Sequence, residues 1–171
     1  TSAGSVRIRD SAGVTTATTA DARISNVALH GQTLSWVRYR RPRELTVFSR
    51  RNSSVTSTTV VERAQAVLAP GPLVLTNTGT TVASYTYCST APECRSPQPS
   101  CCSSHLLASA DDGFQHVAVP YPGTISHILD DGGAFVLAMP NRLVRWIRPS
   151  TFDVLFETPR GTPRFSSRVG T

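Results

Sequence analysis

Four cysteines provide the most concentrated chemistry in this sequence. Cys88, Cys94, Cys101 and Cys102 lie within 15 residues of one another, in a segment rich in Ser and Pro, and the chain has no other cysteine. A zinc site would require paired Cys-x-x-Cys or His motifs, which this spacing lacks. An even number of cysteines in a polar loop is typical of disulfides. Because a bridge between the adjacent Cys101 and Cys102 would strain the intervening peptide, we expect each to join one of Cys88 and Cys94, in an extracellular or cell-surface protein.

Arginine is the second residue type that could bind a partner. All 17 basic residues are arginines, and the net charge is +6. Arginine keeps its charge at any ordinary pH and can grip carboxylates or phosphates with two hydrogen bonds. The densest group is a candidate site for a polyanion or an acidic partner, with a tyrosine available for stacking: Arg38, Tyr39, Arg40, Arg41, Arg43, Arg50 and Arg51. Its two arginine turns are consecutive, which places them at opposite ends of a hairpin, and a solvated basic surface is the alternative interpretation.

The remaining polar residues do not form a catalytic or metal-binding motif. The four histidines occur singly, without a Gly-x-Ser-x-Gly or His-Glu-x-x-His motif: His30, His105, His116 and His127. Asp111-Asp112-Gly113 and Asp130-Asp131-Gly132-Gly133 lack the alternating oxygen ligands of a calcium loop and fit hairpin turns. The sequence therefore predicts no catalytic residue, no metal and no cofactor.

Short β-strands are the elements that must position these residues. Between Ile24 and Val61, runs of β-branched and aromatic residues alternate with Gly, Pro, Arg and Asn, which permit chain reversal. This pattern predicts four strands joined by hairpins: Ile24–Leu29, Thr33–Arg38, Glu44–Ser49 and Ser54–Val61. We find no convincing helix pattern, so the fold class is all-β, in one domain spanning residues 1–171.

The four-strand pattern recurs along the chain. Ile125 aligns with Ile24 and Phe135 with Leu34, at a constant shift of 125 − 24 = 101 positions. Further on, residues 143–146 align with residues 45–48. The predicted units are a half unit at about 5–19, full units at 24–61, 72–120 and 124–158, and a partial unit at 162–171. The cysteine-rich segment 88–104 is an insertion in the second full unit, whose first strand we expect at Leu73–Asn77 after a connection at Ala64–Pro72.

A repeat of about 40 residues with four antiparallel strands is typical of a β-propeller blade. Each unit begins with an apolar-Gly-x-x-apolar pattern, and its third strand carries a Leu-x-Val/Arg-aromatic pattern. In these features the chain resembles the WD-repeat-like and TolB-like propeller blades of secreted bacterial proteins, although the Gly-His and Trp-Asp signatures are absent. The resemblance implies a β-propeller-like array of four-stranded antiparallel blades and a general binding role. A β-sandwich or jelly roll is the alternative fold, since it also has short strands at regular spacing.

These features predict a structural or protein-binding module without catalysis of its own. We expect it to be secreted or at the cell surface and to belong to a larger assembly. An incomplete ring of blades would expose apolar sheet faces, so a protein partner or self-association is expected. The alternatives are an enzyme with its site in a propeller channel and a virion or filament subunit with a β-sandwich fold. The chain has no run of about 20 apolar residues that would predict a membrane span. No basic-then-apolar leader is present, so secretion would require a signal peptide that has already been removed.

Overall fold

A computed structural model describes residues 7–10, 13–16, 23–40, 44–52, 54–61, 63–94 and 99–158 of the chain. The expected all-β class is confirmed: these residues form strands and turns, with no α-helix among them. Two three-residue 3₁₀ turns, Pro92–Cys94 and Pro99–Cys101, lie in the cysteine-rich insertion. No helix in the described ranges has the length and apolar character that a membrane crossing needs.

The strands follow one another with short connections. Their bounds are β1 Arg7–Asp10, β2 Gly13–Thr16, β3 Arg23–His30, β4 Thr33–Arg40, β5 Glu44–Arg51, β6 Ser54–Val61, β7 Ala66–Leu75, β8 Thr81–Ser89, β9 Cys102–Ala110, β10 Gly113–Pro122, β11 His127–Asp131, β12 Ala134–Met139, β13 Arg142–Ile147 and β14 Thr151–Glu157.

Three four-stranded antiparallel sheets contain most of these strands. Sheet 1 is β3–β6, sheet 2 is β7–β10 and sheet 3 is β11–β14, and within each sheet every strand pairs with the next strand of the chain. Strands β1 and β2, in the predicted half unit, form a separate antiparallel pair. The predicted partial unit at 162–171 lies outside the described residues.

The first strand of sheet 2 differs from the sequence prediction. The sequence predicts a connection at Ala64–Pro72 and a strand at Leu73–Asn77. In the structure, β7 begins at Ala66 and runs through the Pro-Gly-Pro segment to Leu75. A register shift against β8 between Pro70 and Leu73 accommodates this Pro-Gly-Pro segment. Since β7 is an edge strand of its sheet, the missing N–H groups of its prolines are tolerated.

Sheet 2 is packed between the other two sheets. One core cluster joins sheets 1 and 2 through residues such as Val47, Leu45 and Leu107, which are fully buried. The other joins sheets 2 and 3 through residues such as Leu106, Val144 and Trp146, which are also fully buried. Residues alternate between the two faces along β8 and β9, so each strand of sheet 2 contributes to both cores.

The junction between sheets 1 and 2 also contains a buried group of hydroxyls. Thr81 Oγ1 lies 2.6 Å from Ser35 Oγ and donates to Ser49 Oγ at 3.0 Å. Near the first strands, Asn26 Nδ2 donates to the carbonyl oxygen of Gly71 at 2.8 Å. Polar contacts between facing strands therefore fix how sheet 1 sits on sheet 2 in addition to apolar burial.

Candidate functional site

Two disulfides hold the insertion of sheet 2. Cys88 in β8 is joined to Cys102 in β9, and Cys94 is joined to Cys101. Cys88 and Cys102 also face each other in the register of the two strands. This pairing agrees with the expectation that Cys101 and Cys102 each bridge to one of the other two cysteines, and two disulfides are compatible with an oxidising environment.

The predicted arginine group is divided over sheet 1. Arg38 is bonded to Glu44 at 3.5 Å and lies over the ring of Phe48. Arg50 donates through Nε to the carbonyl oxygen of Asn52 at 2.9 Å. Arg38 of β4 lies opposite Thr46 of β5, and Arg50 is four residues further along β5. The backbones of Arg38 and Arg50 are therefore about 13 Å apart along the strand direction. Arg40 and Arg51 are exposed at opposite ends of the sheet, and Arg41 and Arg43 lie outside the described residues.

The expected stacking role of Tyr39 is wrong. Its side chain faces sheet 2, is 6% exposed, and its hydroxyl donates to the carbonyl oxygen of Leu68 at 2.5 Å. The physical reason is alternation: Val37 and Tyr39 point to the core, whereas Arg38 and Arg40 point away from it. The ring is therefore unavailable to a ligand of the arginine group.

Aromatic and imidazole rings cluster on the two central strands of sheet 2, on the face that packs against sheet 1. His105 stacks on Tyr85 at 5.0 Å, and Tyr87 contacts both rings edge-on. Burial raises the pKa of Tyr85 to about 12, with a smaller contribution from Tyr87, so this phenol stays protonated at ordinary pH. Burial also lowers the pKa of His105, assisted by Arg63 and His116.

His116 belongs to the same region. It lies on β10 and its Nε2 is 3.2 Å from the Thr58 hydroxyl of β6, across the junction between sheets 1 and 2. Burial lowers its pKa below the ordinary value. The four histidines do not meet at one point, and no group of three His, Cys, Asp or Glu side chains suited to a metal ion occurs among the residues that the structure describes.

A groove of about 480 Å³ opens at the end of sheet 2 beside the Cys88–Cys102 disulfide. We call it the disulfide groove; its walls include Arg63, Tyr87, Cys102, Ser103, Pro120 and Tyr121. The Arg63 guanidinium lies 4.5 Å from the centroid of the Tyr87 ring. None of the described residues that line the groove is acidic. A smaller cavity of about 330 Å³ lies between β10 and β14, beside His116 and Phe152.

Sheet 3 has an apolar face directed away from sheet 2. Residues that lie directly opposite each other on antiparallel strands share a face of the sheet. Ile128, Leu137 and Val144 are opposite one another and belong to the core between sheets 2 and 3, which identifies the inner face of sheet 3. The opposite face, called here the outer face of sheet 3, contains Leu129, Val136, Leu143, Ile147 and Phe156. Leu129 is 60% exposed and Phe156 is 48% exposed.

Sheet 1 has a corresponding outer face. It contains Val27, Leu29, Leu34, Phe48 and Val55, which pair with one another or with residues that point away from sheet 2. Leu29 is 71% exposed and Val27 is 54% exposed, whereas Trp36 on the same face is buried and stacks on Phe48 at 4.9 Å. The two ends of the three-sheet stack therefore both present apolar side chains.

Comparisons with protein-family models, curated proteins and solved structures find no match to this chain. Sequence reasoning did not find the disulfide groove, because Arg63, Tyr87, Cys102 and Tyr121 come from four separate segments. Only the placement of Arg63 just before β7, and of Cys88 and Cys102 at the facing ends of β8 and β9, could have indicated that these segments meet.

Proposed function

We propose that this chain is a β-propeller-like module without catalysis of its own, secreted or at the cell surface, that builds a larger assembly by stacking its outermost sheets. The consecutive, up-and-down order of strands within each sheet supports blades over a jelly roll, which uses Greek-key connections. The first strand of sheet 2, β7, contacts both β3 and β11, as expected for blades whose first strands line a common axis. The two disulfides support the oxidising location.

The observation that carries this proposal is that repeat-equivalent residues lie on equivalent faces. Phe135 and Trp146 of sheet 3 pack on sheet 2, while their repeat equivalents in sheet 1, Leu34 and Phe48, lie on its outer face. Conversely, Leu45 of sheet 1 packs on sheet 2, and its equivalent Leu143 lies on the outer face of sheet 3. The two outer faces thus correspond to the two halves of one sheet-to-sheet junction.

Stacking the outer face of sheet 3 on the outer face of sheet 1 from a second copy would repeat that junction. Burying exposed apolar side chains such as Leu129 and Leu29 would favour the contact. The charges are also complementary. The outer face of sheet 1 has a net charge of 3 − 1 = +2, from Arg38, Arg40, Arg50 and Glu44. The outer face of sheet 3 has a net charge of 1 − 2 = −1, from Arg145, Asp131 and Asp153.

Size-exclusion chromatography with light scattering tests the proposal. The wild-type chain should form oligomers whose fraction rises with concentration. Leu129→Arg should block the outer face of sheet 3, and Leu29→Arg should block that of sheet 1, so each variant alone should run as an 18.4 kDa monomer. Gln32→Arg, in the exposed β3–β4 turn, adds the same charge away from both faces and should still associate.

Mixing the two blocked variants separates the head-to-tail contact from other modes of association. Leu29→Arg keeps an intact outer face of sheet 3, and Leu129→Arg keeps an intact outer face of sheet 1, so the mixture should form a one-to-one dimer. A symmetric contact between two sheet 3 faces would instead leave Leu29→Arg associated on its own. A wild-type chain that remains monomeric at every concentration would contradict the stacking proposal.

A further inference from the structure

The disulfide groove is held open by contacts that do not depend on a ligand. The hydroxyl of Tyr87 donates to the carbonyl oxygen of Val61 at 2.5 Å, and its ring is 6% exposed, so its position is fixed. The opposite wall is tied to the disulfide, because the N–H of Gly123 donates to the carbonyl oxygen of Cys102 at 2.8 Å. A groove with rigid walls needs little ordering when a ligand binds.

Arg63 is placed at the mouth of this groove by the connection between β6 and β7. The N–H of Ala66 donates to the carbonyl oxygen of Arg63 at 3.2 Å, closing a tight turn. The Tyr87 ring supports one side of the planar guanidinium, which leaves its N–H edge available. No carboxylate within the described ranges lies within 4.0 Å of Arg63, unlike Arg38, Arg142 and Arg145, each of which is ion-paired.

The rest of the lining combines rings and small apolar side chains with an amide and several hydroxyls. Tyr121 and the neighbouring Pro120 form one wall, and Ser89, Ser100 and Ser103 contribute hydroxyl groups. A ligand suited to these walls combines a negative charge with apolar, extended chain. A volume of about 480 Å³ lies within the usual range for ligand pockets, about 300–1,000 Å³, and accommodates a few residues of peptide.

We infer that the disulfide groove binds an extended acidic peptide segment of a partner protein, with a carboxylate on Arg63 and apolar side chains against Pro120 and Tyr121. The peptide is favoured over a nucleic acid or a sulfated polysaccharide because the groove contains one unpaired arginine, whereas polyanions are held by several cations in a row. The site is separate from the outer faces of sheets 1 and 3, so it does not depend on the stacking proposal.

Fluorescence anisotropy with a labelled peptide in which Glu alternates with Pro tests this site in the intact, disulfide-bonded chain. The wild type should bind it, and the same peptide with Gln in place of every Glu should bind about tenfold more weakly or worse, because a hydrogen bond to a charged group is lost. Arg63→Gln should cause a similar loss. Arg63→Lys should bind with intermediate affinity, since lysine keeps the charge but loses the paired N–H edge.

Arg51→Gln is the matched control, because it removes one exposed arginine at the end of the β5–β6 pair opposite to Val61, the residue that Tyr87 of the groove contacts. It should leave the affinity unchanged, and circular dichroism should report the same folded spectrum for all variants. The inference is overturned if neither peptide binds, if Arg63→Gln binds as tightly as the wild type, or if Arg51→Gln weakens binding as much as Arg63→Gln. Heparin should also be tested as a competitor of the peptide. If heparin displaces the peptide and binds Arg63→Gln as tightly as the wild type, the affinity comes from general surface charge and the inference is overturned.

Discussion

A single glycine in β7 allows the Pro-Gly-Pro segment to lie against β8. A Cβ atom added at Gly71 would be 2.2 Å from the hydroxyl oxygen of Ser84 and 3.3 Å from its carbonyl oxygen. The carbonyl oxygen of Gly71 also accepts the hydrogen bond from Asn26 that links sheet 1 to sheet 2. The backbone at this position is therefore held from both sides, and a side chain has no space.

We predict that Gly71→Ala lowers the free energy of unfolding by about 1–3 kcal/mol, the usual cost of overpacking. Urea denaturation followed by tryptophan fluorescence would measure the loss. Adding Ser84→Ala removes the closest contact and should restore part of the stability, although the hydrogen bond from Ser84 to Pro72 is then lost. Equal stability of Gly71→Ala and the wild type would show that the β7 bulge relaxes without strain.

Residue-level reasoning from the sequence was correct where a local rule decides the outcome. The cysteine pairing followed from the strain of bridging neighbours, and the strand content followed from β-branched and aromatic runs. Local rules failed at Tyr39 because it was grouped with its arginine neighbours instead of being read by alternation with Val37. They failed at β7 because Pro and Gly usually end strands, and only the pairing with β8 shows that this strand continues.

Among the secondary-structure elements, strands β9 and β10 of sheet 2 contain two histidines whose pKa is lowered in the folded chain. His105 of β9 and His116 of β10 both bind protons more weakly in the folded chain, chiefly because they are partly buried. Arg63 and the tyrosine rings of β8 are the other titratable groups around them. Protonating either histidine would introduce a positive charge into a region that already contains a guanidinium.

The unfolding free energy should therefore be highest above the ordinary histidine pKa of about 6.5 and should decrease as the pH falls below it. The sign follows because the unfolded chain takes up these protons before the folded chain does. Urea denaturation between about pH 7.5 and about pH 5 would measure the slope. His105→Gln should make the slope shallower, and so should His116→Gln. A stability that rises on acidification would contradict the assignment.

The disulfide groove shows why the candidate site was harder to predict than the strands. Each strand is encoded within about ten residues, whereas the groove requires the turn before β7, the end of β8, the start of β9 and the end of β10 to converge. The repeat alignment contained more long-range information. It placed Phe135 under Leu34 and Leu143 under Leu45, and these pairs occupy equivalent faces.

At the scale of the whole molecule, the three sheets differ in how much of their surface is protected. The first seven residues of β8, Thr81–Tyr87, are all buried, because sheet 2 is covered on both faces. In β14 every residue except Phe152 is exposed, and β6 is exposed along most of its length. Local opening costs least free energy where few apolar contacts are broken. Strands β6 and β14, which end sheets 1 and 3, should therefore open most readily.

Hydrogen–deuterium exchange followed by mass spectrometry would measure this gradient. In dilute solution, amides of β8 and β9 should exchange most slowly, while those of β6 and β14 should exchange fastest. If copies stack through the outer face of sheet 3, exchange in β11 and β14 should slow as the concentration rises, and exchange in β8 should stay constant because its faces are already covered. The Leu129→Arg variant should abolish the concentration dependence without altering the dilute pattern. Exchange in β8 as fast as in β14 would contradict the three-layer arrangement itself, whereas a gradient that does not change with concentration would contradict only the stacking.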